Sequence, residues 1–551
     1  MSGVELGLGL VGLVGVVDTC IKRGSDLREK VEAFRDVDGR LGSLVERAEM
    51  TWSAIEVLIK VLKGSANCLD EKHFKLQASA LHRLQNKLRD VNSELESLKP
   101  PCAPLPKATK VSMKIRLKYT VKENGLENDI EKIESWLQTY YLIWFNIMTS
   151  PSKQVDQQLE ATAKDQGNTV QNDSASVIQA AKHFRKALKS DGSDPNRPVF
   201  LDPSGLKLHG VRSVPFSPVT LAQRKGKDAT VLLDPVTCKS LLFMEDVKED
   251  IRNFANKLRH ADPFKFGLLQ CKSVLKGEVS VDNPDPSVDK SSLSFVFHIP
   301  ETHPQIESVR AHLLRGPRDK HHSFPQRLSL ARHLVRAVHY VHMYKFVHKN
   351  IRPETILILT GVDQRPRTPP PTIGEKTLED TAVLVGFDVL RNASGETRRV
   401  VDDDWEKDLY RHPSRRGSTP HGKYEMRHDI YSVGVCMLEI GLWDTFVTYS
   451  APREPAQHGP GLGIKDDNEN GSELFQKPES MKAHFLDLAR GGRLEKAMGE
   501  KYCKIVETCL TCLDKGNVDF GDDKEFRDGD GVLVRSKYIE KVYTQLSEIV
   551  V

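Results

Sequence analysis

Five polar side chains spaced one or two residues apart, His348, Asn350, Arg352, Glu354 and Thr355, lie in the stretch VHKNIRPETILIL between apolar segments. The amide of Asn350 can orient a hydroxyl group, because it both donates and accepts hydrogen bonds. It takes no proton, so general-base work at that position is lost, a penalty on the order of a hundred- to ten-thousand-fold in rate. A second polar cluster, Gly386-Phe387-Asp388, follows the apolar run AVLV. Cys509 and Cys512 form a CxxC with Cys503 upstream, inside the apolar helical pattern YCKIVETCLTCL. A closed zinc site needs a second pair of ligands, and none accompanies them, so these three read as buried structural thiols.

The elements around these groups follow from periodicity. Leu330, Leu334, Ala337 or Val338, and Val341 recur at three-to-four spacing, which predicts a helix with one buried face starting near Gln326, then a short strand before the polar loop. Upstream, ATVLLDPV (229–236) reads as a strand carrying Asp234, EDVKEDIRNFANKLRHADPF as a helix and turn, and FGLLQCKSVL and LSFVFHIP as strands. Downstream, AVLVGFDVLR reads as a strand and RHDIYSVGVCMLEIGLW as a buried helix, with further helices from Ser480 to Val551. Residues 361–380 and PREPAQHGPGLGIKDDNENGS are insertions too polar for a core.

On these residues the stretch from about 199 to 551 resembles a protein kinase. His348, Ile351, Pro353, Ile356 and Leu357 stand where a kinase catalytic loop, HRDxKPxNIL, carries the same residues. Asn350 replaces its catalytic Asp, Arg352 its Lys and Thr355 its metal-binding Asn. Gly386 takes the metal-ligand position of the DFG motif, Phe387 is kept, and Asp388 replaces the Gly. Asp234 falls near the place of the ATP-contacting Lys, where an acid repels phosphate. Gly205 and Gly210 lack GxGxxG spacing. The resemblance implies structural roles for His348, for Pro353, for Pro413 in YRHPSRR, and for Asp429, whose counterpart holds the catalytic-loop backbone; Ser414 replaces an acid that pairs with a distant Arg. The implied class is a bilobal α+β pseudokinase: no catalytic residue, no metal, no required cofactor, weak ATP binding left open. Two alternatives remain: an unconventional kinase using Asp388 or Glu354 as its acid, and a non-enzymatic scaffold.

The first 150 residues predict an all-α bundle. Leu27 through Leu62 repeat at three-to-four spacing as one long helix from Asp26, Leu76–Leu98 repeats the pattern up to a Pro cluster, and Leu126–Met148 carries Ile130, Ile133, Trp136, Leu137, Tyr140, Tyr141 and Trp144 on one side. The segment from Leu6 to Val17 is apolar or Gly throughout, through Leu8, Leu10, Leu13 and Val14. As a helix it extends roughly 18 Å at about 1.5 Å per residue, short of a hydrocarbon core of about 30 Å. It is therefore the central helix of a bundle, or a segment that inserts into membrane on activation; the two readings are compatible. ELGLGLVGLVGVVDTCIKRG, ERAEMTWSAIEVL and ESWLQTYYLIWF are together similar to the fungal HeLo-type domain of prion-inhibition and cell-death proteins. That family's domain is a helical bundle whose N-terminal segment attacks membranes, which implies an effector under pseudokinase control, with oligomerisation on activation. Residues 151–198 turn polar and predict a linker, in which SVIQAAKHFRKALK forms a brace helix with Val177, Ile178, Ala181, Phe184 and Leu188 on one face.

Length and composition frame these readings. A chain of 551 residues exceeds a single core, so two or three domains are expected. Net charge is +4 with 28% charged residues of both signs interleaved, which offers no basic stripe to nucleic acid. Nine scattered cysteines without framework spacing favour a reducing, cytoplasmic setting, with conditional membrane association. The expected partners are another protein or an upstream receptor.

Overall fold

The computed structural model describes residues 10–32, 34, 39–98, 113–166, 173–189, 198–201, 208–224, 229–237, 244–277, 292–362, 379–387, 390–392, 404–416, 423–450, 454–464, 477–521 and 532–549. The chain divides into two compact units, Met1–Arg185 and Lys186–Val551. The first is all-helical and the second is mixed α/β around a six-stranded sheet.

In the first unit, α1 (Leu10–Glu32), α2 (Arg40–Ser65), α3 (Glu71–Leu98) and α4 (Met113–Phe145) pack on one another through their apolar faces, and α5 (Lys153–Gln166) and α6 (Asp173–Lys189) follow. The core collects Leu13, Val17 and Leu27 from α1, Trp52, Ile55 and Ile59 from α2, Leu84, Leu88 and Val91 from α3, and Ile130, Tyr140 and Trp144 from α4, all buried. Indole N–H groups cannot be buried without acceptors. Trp136 donates to the Ala80 carbonyl at 3.0 Å and Trp144 to that of Leu58 at 2.9 Å. Gly24 admits the Trp52 ring, since a Cβ there would lie 1.8 Å from Trp52 Cζ2. The long helix expected from Asp26 to Leu62 is two: α1 stops at Glu32 and α2 starts after Gly39, whose φ of 90° leaves the helical range.

The unit runs past the boundary expected at residue 150, because Arg185 ties α6 back to it. This guanidinium is 2% exposed and donates to both Asp156 oxygens, at 2.7 and 2.8 Å, and to the carbonyls of Met148, Ser150 and Ser152 at 2.7–3.0 Å. Phe184 meets Phe145 edge-on at 5.9 Å. No helix among the described residues is long and apolar enough to cross a membrane.

The second unit opens with β1 (Phe200–Leu201), β2 (Leu208–Ser213), β3 (Thr220–Arg224), β4 (Thr230–Thr237), α7 (Met244–Lys257), α8 (Pro263–Phe266), β5 (Cys271–Lys276) and β6 (Ser292–His298). The sheet order is β1-β5-β6-β4-β3-β2, antiparallel except for β1 with β5. Alternation along β4 sends Val231 and Leu233 to one apolar cluster with Ala222, Leu275 and Val296. The opposite face carries Leu232 and Asp234, paired across the ladder with Phe297 and Phe295.

Next come β7 (Gln305–Ser308), α9 (Val309–Arg315), α10 (Phe324–Met343), β8 (Phe346–Val347), β9 (Ile356–Thr360), β10 (Thr381–Leu384), β11 (Arg391–Asn392), α11 (Trp405–Asp408) and α12 (Met426–Leu442). The strands form a sheet of order β10-β9-β7 and a β8–β11 pair. Every residue of α12 from Met426 to Gly441 is buried. It packs on the later helix Glu500–Leu510 so closely that a Cβ on Gly434 would lie 2.8 Å from Cys509 Cβ. Cys509 and Cys512 are buried free thiols and Cys503 is half-buried.

Candidate functional site

The loop after β8 is held from below by one carboxylate. Asp429, in the first turn of α12 and fully buried, accepts from the backbone N–H of His348 at 2.8 Å and of Lys349 at 2.9 Å, from Tyr424 Oη at 2.7 Å, and from His342 Nε2 at 2.9 Å. Burial alone would raise its pKa. The bond and charge of His342, with the other donors, outweigh that and hold the carboxyl below its usual range. Lys349 takes a φ of 68°, so the chain turns sharply here. His348 is buried and neutral in pattern: Nε2 donates to the Val385 carbonyl at 3.0 Å, while Nδ1 accepts from the Asn350 N–H at 3.2 Å. Its ring lies 4.9 Å from that of Phe387.

Asn350, Arg352, Thr355 and Gly386 come together. Asn350 Nδ2 lies 3.4 Å from the Gly386 carbonyl and its Oδ1 accepts from Arg352 Nε at 3.1 Å. The buried Thr355 hydroxyl sits 2.8 and 2.9 Å from the carbonyls of Asn350 and Arg352 and accepts from the Arg352 N–H, so it closes the turn that Pro353 begins. Gly386 has a φ of +81°, and a Cβ on it would meet Thr355 Cγ2 at 2.4 Å. No acidic side chain projects from that position, and Thr355 occupies the space. Asp388 lies outside the described residues.

Asp234 enters this cluster from the sheet. Its buried carboxylate accepts from the backbone N–H of Gly386 at 2.8 Å and of Phe387 at 3.2 Å. Phe387 in turn packs its ring 4.9 Å from Phe254 of α7 and 6.0 and 6.1 Å from Phe295 and Phe297 of β6. Sheet, α7 and polar loop therefore meet at one aromatic cluster with a carboxylate beside it.

Glu354 does not face this cluster as a proton acceptor. It is 4% exposed and accepts from Arg310 Nε at 2.7 Å and from Tyr449 Oη at 3.2 Å, with Arg352 Nη1 3.5 Å away. Burial would lift its pKa, but Arg310 and Arg352 pull it below the usual range. The same Arg310 also binds Glu439 and Thr445, and donates to Tyr410 Oη at 2.6 Å. Burial raises Glu439 against the pull of Arg310. Arg310 and Glu439 were missed by sequence reasoning; the signal was a lone charge inside each of two apolar helical runs, VRAHLL and CMLEIGL.

Pro413 is buried at the start of the turn Pro413–Arg415, next to His412, whose Nδ1 accepts from the Ser414 N–H at 3.2 Å. In the first unit, Leu6 and Leu8 lie outside the described residues, and Leu10 begins α1. Leu13 and Val17 are fully buried and Val14 is half-buried. With this geometry in view, the chain was compared with known proteins: no protein-family model matches it, and no curated protein does either.

Proposed function

We propose that residues 199–551 are a protein-kinase-like domain that does not transfer phosphate, joined to a helical unit that acts on membranes as a cell-death-type effector. Phosphoryl transfer needs a Lys on the nucleotide phosphates, two side chains on the metal and a carboxylate at the acceptor hydroxyl. The single observation that carries the reading is Asp234: a buried carboxylate, set on the strand near the place of that Lys, clasps the amides of Gly386 and Phe387. At an effective dielectric near 20, a phosphate charge about 4 Å from a carboxylate meets repulsion of roughly 4 kcal/mol. Asn350, Thr355 and Gly386 leave the proton and the metal without their side chains, and Glu354 is engaged by Arg310. Support for the kinase-like frame comes from Asp429, which holds the loop backbone as the family resemblance requires. The test is phosphate transfer by the full chain with ATP and Mg²⁺, which this reading sets at background.

For the effector, the support is the apolar run from Leu6 to Val17, in which Leu13, Val16 and Val17 are buried at rest. Exposing such a run costs roughly 25 cal/mol per Å², so release into water favours a membrane or a second copy. Residues 1–185, forced to oligomerise, should leak anionic liposomes. A folded Val14→Glu variant should not. Intact liposomes with the wild-type oligomer would leave the scaffold reading in its place.

A further inference from the structure

Two histidines and an aspartate lie together in α9 and the segment that follows it. His312, Asp319 and His321 are 1%, 7% and 1% exposed, and their donor atoms lie within 4.8 Å of one another. Asp319 faces both rings: Oδ2 is 2.7 Å from His312 Nδ1, and Oδ1 is 3.1 Å from His321 Nδ1. Each ring also turns its far nitrogen to another carboxylate, His321 Nε2 to Asp380 Oδ2 at 3.1 Å and His312 Nε2 to Glu307 Oε2 at 3.5 Å.

Proton placement decides what this cluster can hold. Four imidazole nitrogens face carboxylates, yet two neutral rings carry only two protons. Arg315 Nη1 lies 3.3 Å from His312 Nδ1, a contact that nitrogen accepts only when it carries no proton. With the two protons on the far nitrogens, His321 Nε2 donates to Asp380 and both Nδ1 lone pairs converge with the Asp319 oxygens, while His312 Nε2 stands 3.5 Å from Glu307 Oε2 without a hydrogen bond. In that arrangement the Nδ1 lone pairs and the Asp319 oxygens form a converging donor set for a cation, and Arg315 Nη1 already reaches it, 3.3 Å from both His312 Nδ1 and Asp319 Oδ2.

We infer that His312 Nδ1, Asp319 and His321 Nδ1 form a binding site for a divalent transition metal of the zinc type. Two imidazoles and a carboxylate are a donor set zinc takes at about 2.0–2.2 Å, with a fourth position for water. Ligating histidines characteristically pass their other N–H to a carboxylate, and Asp380 stands in that relation to His321, with Glu307 3.5 Å from the far nitrogen of His312. Two cations neighbour the site: Lys320 is engaged by Asp380 at 2.7 Å, and Arg315, about half exposed, reaches Asp319 Oδ2 and His312 Nδ1 at 3.3 Å but also donates to Glu307 at 3.1 Å, where it can rest when a metal holds Asp319. A bound metal would tie the segment between α9 and α10 to the start of β10 through Asp380. Its role is then structural, a clamp on this segment.

The test is titration of the metal-stripped full-length chain with zinc, followed by calorimetry, and with cobalt, followed by visible absorption. One equivalent should bind, the cobalt complex should show tetrahedral ligand-field bands, and one equivalent of zinc should raise the melting midpoint. The His312→Gln/His321→Gln double variant should lose that equivalent. Asp380→Asn, which leaves the three donor residues in place and removes the carboxylate behind His321 that also holds Lys320, should weaken binding about ten- to a hundredfold and keeps the test open if the double variant fails to fold. No stoichiometric uptake by the wild-type chain, or uptake unchanged in these variants, overturns the inference.

Discussion

A side chain on Gly386 would run into Thr355 Cγ2 at 2.4 Å from a backbone already at a φ of +81°. Restoring an acid there is therefore a packing problem before it is a chemical one. Gly386→Asp should cost about 2–4 kcal/mol, the sum of overpacking and a left-handed non-Gly backbone. Urea unfolding measures it, and Thr355→Ser on the same chain should return part of the loss. A neutral Gly386→Asp would show that the two positions do not crowd each other. Two histidines set a pH dependence at the same scale. Burial, with the charges of Lys482, Arg416 and Arg427, pushes His412 down to about 3, and burial with Arg415 pushes His428 down to about 3 despite Asp429 and the Glu425 carbonyl. Below the ordinary value of 6.5 the unfolded chain takes up these protons and the folded chain does not until about pH 3. Stability is therefore complete above pH 6.5 and falls as pH drops from 6.5 towards 3, at up to about 1.4 kcal/mol per pH unit for each ring. His412→Gln, which cannot be protonated but can still accept from the Ser414 N–H, should make the loss between pH 6.5 and 5 shallower; equal slopes would refute the assignment. The identities of Asn350, Thr355 and Gly386 were legible in the sequence. Their mutual crowding was not, because it depends on a backbone angle and on a contact between residues far apart in the chain.

Among the elements, α6 shows where pattern reading succeeds and where it stops. The apolar spacing of Val177, Ile178, Ala181, Phe184 and Leu188 marks a helix with one buried face; the first four side chains are buried and Leu188 is half-buried. Spacing does not name the surface that covers such a face. Arg185, a cation among polar neighbours in the sequence, anchors the helix by five donated bonds to residues 148–156. Removing one partner of a buried, hydrogen-bonded charge leaves the other groups unsatisfied, so Arg185→Ala should cost about 2–4 kcal/mol. Hydrogen exchange on the full chain should lose amide protection across 173–185 first. Unchanged protection there would mean that the apolar face alone holds the helix. The break between α1 and α2 has a similar origin: the hydrophobic period runs through it, while α1 ends at Glu32 and α2 starts after Gly39 at a φ of 90°. Strand β4 was legible as a strand, and Asp234 was noted within it. That its carboxylate reaches amides more than a hundred residues away follows from the sheet face it shares with Phe295 and Phe297, which only the register reveals.

For the whole molecule, the sequence indicated more than one domain from length alone, and the structure has two compact units, one all-helical and one mixed α/β. The boundary follows from buried anchors such as Arg185 more than from composition. The proposal for the second unit is that its loop, its aromatic cluster and its buried carboxylate keep kinase-like positions without transferring phosphate. The direct measurement is incorporation of labelled γ-phosphate from ATP by the purified full chain, with Mg²⁺ or Mn²⁺, into itself and a generic protein substrate. Incorporation should be no higher than in the metal-chelated control and should not change with Asp388→Ala. Sustained metal-dependent incorporation that disappears in Asp388→Ala would contradict the proposal and make this chain an unconventional kinase.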